Sequence, residues 1–101
     1  MGSSGREDGV EVDRLRRETP GAGRVAHFNN AGASLPPRPV TEACVSHLRR
    51  EAEIGGYEAA AEAEEELEAT YDALARLLGC TREEVALASS ATRAWDMAFY
   101  A

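Results

Sequence analysis

Apolar residues recur at helical spacing in two long stretches and gather into short runs in two others, with glycines, prolines and small polar residues between them. Val40, Cys44 and Leu48, flanked by Val45 and Ala52, repeat every three to four residues up to Gly55 and Gly56, which predicts an amphipathic helix over residues 40–54 with one buried face. Leu67, Tyr71, Leu74 and Leu78 then follow a 4, 3, 4 spacing in alanine-rich sequence that stops at Gly79. That spacing predicts one continuous helix over residues 57–78 with a glycine C-cap. Thr81, with Glu84 three residues on, has the form of a capping box around a single turn. Near the amino terminus Val10, Val12 and Leu15 give a narrow apolar edge that predicts a short helix within residues 8–19, closed by Pro20 and Gly21.

The two apolar runs are residues 25–28 and 85–88. Both are short, and the second (Val85, Ala86, Leu87, Ala88) is uncharged and led by a β-branched residue, so each predicts a brief strand. Ser89, Ser90, Ala91 and Thr92 come next, after which Ala94, Trp95, Ala98 and Phe99 return to helical spacing. Any of the three hydroxyls can cap that helix. A small-residue turn feeding a helix leaves the first backbone N–H groups unpaired at the partly positive helix end, which is chemistry suited to a phosphate, with the Thr92 hydroxyl as a further donor. The turn-rich stretch Asn29, Asn30, Ala31, Gly32, Ala33, Ser34 reads as a tight bend whose small residues let a ligand approach the backbone, and Asn30 brings donors and an acceptor. Pro39 suits the first turn of the helix that follows it.

Composition narrows the class. The chain has 101 residues, enough for one domain at most, and nineteen alanines account for much of its apolar content. Only twenty residues are large and apolar, a thin core for independent folding. A formal net charge of -7 disfavours binding to nucleic acid. No run approaches the ~18 apolar residues of a membrane span and the start lacks an apolar leader, so a cytoplasmic protein is the expectation. Residues 2–5 (Gly-Ser-Ser-Gly) read as a tail, and residues 1–24 as that tail plus the short helix. Cys44 and Cys80 fit no metal-ligand spacing, and the carboxylate run from Glu58 to Glu68 reads as a solvated helix face.

SSATRAWDMA, starting at Ser89, is similar to the SGATEAINLA-type segment of the class V aminotransferase and cysteine desulfurase family, whose members use pyridoxal phosphate. HFNNAGASLPPRPV, from His27 to Val40, resembles that family's opening Asn-Asn-Ala-Gly and proline-rich segment, and the helix ending at Leu78-Gly79 with Glu83-Glu84-Val85 resembles its approach to the phosphate turn. The ordered set covers roughly the last four fifths of the chain. Where the family often has glycine ahead of Ala-Thr, this chain carries Ser90.

The resemblance implies an α/β fold: the amino-terminal fragment of the large domain of a fold type I pyridoxal-phosphate transferase, mainly helical here with one or two short strands. Residues 25–101 would be the front of that domain, truncated at Ala101, where the apolar stripe of the last helix has no closing residue. It further implies that Ser90, Ala91 and Thr92 contribute to binding the cofactor phosphate, that Asn30, Ala31 and Gly32 line the substrate side, that the substrate is an amino acid acted on by a desulfurase, lyase, epimerase or aminotransferase, and that the whole protein is a homodimer. All eleven basic residues are arginines. The lysine that would hold pyridoxal phosphate through its amine is absent, so the chain by itself is expected to be inactive. A small acidic helical interaction module, binding a partner through the stripe at the carboxyl end, is the competing expectation.

Overall fold

The computed structural model describes residues 10–101, and these form an all-helical chain, 67% helix, with no strand among them. Five α-helices appear in order: α1 (Val12–Glu18), α2 (Arg38–Ile54), α3 (Gly56–Glu62), α4 (Glu64–Leu78) and α5 (Ala91–Phe99). Single 3-10 turns occupy Pro20–Gly23 and Arg82–Glu84. The chain divides into two compact units at the boundary between Gly56 and Tyr57. The tail expected at residues 2–5 lies outside the described residues.

The α/β expectation is therefore corrected. Val85 is extended (φ -107°, ψ 127°), as its β-branched side chain favours, but a strand also requires a neighbour to complete a ladder of backbone hydrogen bonds, and residues 85–88 have none among the described residues. At residues 25–28 the backbone is instead tied to the preceding turn, Val25 N–H donating to the Gly21 carbonyl at 3.1 Å.

In the first unit α1 ends where the Thr19 hydroxyl donates to the Leu15 carbonyl (2.8 Å). The Pro20–Gly23 turn folds back so closely that a Cβ on Gly21 would sit 3.0 Å from Leu35 Cδ2. Pro37 caps α2 and Pro39 occupies its first turn; the helix stops at Gly55 (φ 99°), whose N–H donates to the Glu51 carbonyl at 2.8 Å. The expected buried face of α2 is not covered: Val40, Val45 and Leu48 are 51%, 40% and 63% exposed.

In the second unit the continuous helix expected over residues 57–78 is two helices. Ala63 (φ -89°, ψ 1°) interrupts the geometry, although its N–H still reaches the Ala59 carbonyl (3.1 Å) and its own carbonyl accepts from Leu67 (2.9 Å). Glu58 and Glu62, Glu62 and Glu66, and Glu64 and Glu68 are like-charged pairs four residues apart, and their repulsion acts where alanine propensity alone would carry the helix through. α4 ends as its sequence predicts: Gly79 is left-handed (φ 70°, ψ 36°) and Cys80 N–H closes on the Ala75 carbonyl at 3.0 Å. Among the described residues the buried apolar ones are two alanines, Ala59 and Ala75, while Trp95, Phe99 and Tyr100 on and just beyond α5 stay largely exposed.

Candidate functional site

Ser90 is the hydroxyl that caps α5. Its backbone is extended and its Oγ accepts the Arg93 N–H at 3.1 Å, while the Ser90 carbonyl takes the Ala94 N–H at 3.0 Å. The N–H groups of Ala91 and Thr92, first and second in the helix, precede any carbonyl that could accept them within it. The Thr92 hydroxyl makes no hydrogen bond among the described residues. The first turn of α5 contains no acidic residue, whereas α4 opens with Glu64, Glu65 and Glu66, and α2, also free of carboxylates there, has lost one donor to Pro39. The α5 turn thus offers two backbone donors, one hydroxyl and the positive end of a dipole, all exposed to solvent. Donors of this kind can receive an anion such as a phosphate oxygen, with the Ser90 oxygen itself engaged by the Arg93 N–H.

Asn30, Ala31 and Gly32 lie in the first unit, in a loop that satisfies its own polar groups. Asn29 Oδ1 accepts the Gly32 N–H (3.1 Å), the Asn29 carbonyl accepts the Ala33 N–H (3.1 Å), and His27 Nε2 donates to the Ala33 carbonyl (2.8 Å). A Cβ on Gly32 would fall 2.6 Å from Asn29 Nδ2, so a side chain there has to displace the Asn29 amide. Asn30, by contrast, borders a shallow open hollow of about 330 Å³ whose walls include Val12, Leu15, Val25, His27 and Leu35. Asn29 thus holds the tight bend that the composition of residues 29–34 predicts, and His27, from just ahead of it, closes the bend on the Ala33 carbonyl.

A second cluster escaped the sequence reading altogether. Glu68, Tyr71 and Asp72 stand on one face of α4 at i, i+3 and i+4, and Arg82 folds back over them. Its Nη2 donates to Glu68 Oε2, its Nη1 lies 3.6 Å from Asp72 Oδ1, and the guanidinium carbon is 5.8 Å from the Tyr71 ring centre. The hydrogen bond to Glu68, and then the charge of Asp72, raise the Arg82 pKa above its ordinary value. Next to it, Glu84 Oε2 accepts both the Thr81 N–H (2.9 Å) and the Thr81 hydroxyl (3.2 Å) within the capping box its spacing predicts.

No family model, curated protein or solved structure matches the chain. Among the described residues no group of histidine, cysteine and carboxylate side chains could hold a metal ion, and no helix is long and apolar enough to cross a membrane.

Proposed function

We propose that this chain is the amino-terminal portion of a cytoplasmic, pyridoxal-phosphate-dependent enzyme acting on an amino acid, in which it binds the cofactor phosphate and shapes the substrate side without supplying the Schiff-base lysine. The observation that carries the proposal is the α5 turn: Ser90 spends its oxygen on the cap, leaving the Ala91 and Thr92 N–H groups and the Thr92 hydroxyl free for an anion in a first turn without carboxylates. When bound, the cofactor supplies an electron sink for a bond broken at the amino acid's α-carbon. In the second unit Ser90 orients the turn, and Ala91 and Thr92 would donate to phosphate oxygens; in the first unit, taken by itself, Asn30 and Ala31 are the residues offered to an amino acid while Asn29 holds Gly32 in place. With eleven arginines and no lysine, the chain has no side-chain amine to carry the cofactor, because a guanidinium stays protonated and delocalised. That amine belongs to another part of the protein, and a homodimer is the assembly that goes with this reading.

Equilibrium binding of pyridoxal phosphate to the chain, followed by borohydride reduction and peptide mapping, tests the proposal. The expected result is weak binding that inorganic phosphate competes away, with no stoichiometric adduct beyond the amino-terminal amine. A stoichiometric adduct within the chain, or equal binding of pyridoxal lacking the phosphate, overturns it. A second reading, an acidic helical module that docks a partner, has its support in α5: Trp95 and Phe99 stack with ring centres 5.9 Å apart yet remain 68% and 66% exposed. No binding of pyridoxal phosphate at all would favour that reading.

A further inference from the structure

We infer that Arg82 is a positioning residue for the α5 anion turn: by clamping the chain to the Glu68, Tyr71, Asp72 face of α4, it sets where residues 85–89 start and so where Ser90 and α5 are delivered. The inference rests on the phosphate reading of that turn.

The geometry that leads to it is a sequence of locks followed by a stretch that has none. Gly79 turns the chain back in the left-handed conformation, Cys80 N–H fastens it to the Ala75 carbonyl, and Glu84 ties itself to Thr81. Those three features are local to the last turn of α4 and the residues after it, 75–84. Arg82 makes the contacts that join this turn to the side of α4, reaching ten and fourteen residues back to Asp72 and Glu68. Val85, the first extended residue, shares a shallow groove with Glu68, Tyr71 and Arg82, and is half-buried there. Beyond it, residues 86–89 make no hydrogen bond among the described residues until Ser90 caps α5. They leave the side of α4 from the anchored end at Val85. A guanidinium suits this anchor because its planar fork meets two carboxylates at once and its face meets a ring, a combination an ammonium cannot reproduce. Exposed ion pairs of this kind are screened by salt, so the anchor loosens as ionic strength rises.

The test uses the isotope-labelled chain, with backbone order parameters and amide shifts read during titration with inorganic phosphate. Arg82→Met keeps the aliphatic stem and removes the fork. The expected result is higher mobility confined to residues 85–90 and a several-fold weaker phosphate response at Ala91 and Thr92, with α4 shifts unchanged apart from the contact face. Arg82→Lys should restore only part of this, and the charge exchange Glu68→Arg with Arg82→Glu should restore more than either single change. Unchanged order at residues 85–90 in Arg82→Met overturns the inference, and so does loss of α4 itself, which would make Arg82 a helix-stabilising residue. If the unsubstituted chain shows no phosphate response while the mobility of residues 85–90 still depends on Arg82, the phosphate reading fails and the clamp on this segment stands by itself.

Discussion

The loop at residues 27–33 and the turn at residues 89–92 both combine small residues with short polar ones, yet they handle their backbone groups in opposite ways. The first closes on itself: Asn29 takes the Gly32 and Ala33 N–H groups, and His27 covers the Ala33 carbonyl. The second uses one side-chain oxygen to cap a helix and leaves two N–H groups and a hydroxyl facing solvent. A self-satisfied loop can shape a surface but has few groups left to hold a charged ligand. An N-capped turn with open donors can, and the absence of carboxylates from its first turn makes an anion the ligand it favours.

Substitutions can break that contrast or sharpen it. The largest effect is expected from Ser90→Asp, which keeps a good N-cap but puts a carboxylate beside the open donors. α5 helicity measured by amide shifts should persist while phosphate binding is lost; retained binding would mean the anion sits elsewhere. Thr92→Val keeps the side chain's shape and removes one donor to a charged group. At the low end of ~1.5 kcal/mol for such a bond, expected of an exposed turn, affinity for pyridoxal phosphate by titration should fall about tenfold. Gly32→Ala acts in the other region. Its Cβ would displace the Asn29 amide, and losing that bond at ~1 kcal/mol should raise amide exchange in residues 29–33 about fivefold, with phosphate affinity unchanged.

Features set by local chemistry were legible in the sequence. Gly55 and Gly79 end their helices where spacing predicts, the Thr81 and Glu84 pair forms its reciprocal cap, and Ser90 is one of the three hydroxyls expected to cap α5. Features that depend on partners were not. The composition of residues 85–88 predicts an extended backbone, and Val85 adopts one, but a strand is a property of two segments in register and no second one is present among the described residues. The break at Ala63 escaped because alanine propensity argues for continuity, and the repulsion among Glu58, Glu62, Glu64, Glu66 and Glu68 appears only when side chains are counted four apart. Arg82 escaped for a related reason: its partners lie on the preceding helix, and only the reversal at Gly79 brings it back to them. The buried face expected of α2 assumed something to cover it, and the described residues leave Val40, Val45 and Leu48 exposed.

The most direct test of the central claim is a residue-resolved titration of the labelled chain with pyridoxal phosphate and, in parallel, with pyridoxal. The account predicts that pyridoxal phosphate shifts the Ala91 and Thr92 amides in a saturable way, that pyridoxal does not, and that the Gly32 and Ala33 amides, already bonded within their loop, stay still in both. Shifts of equal size at the starts of α2, α4 and α5, or none at Ala91 and Thr92, would contradict it.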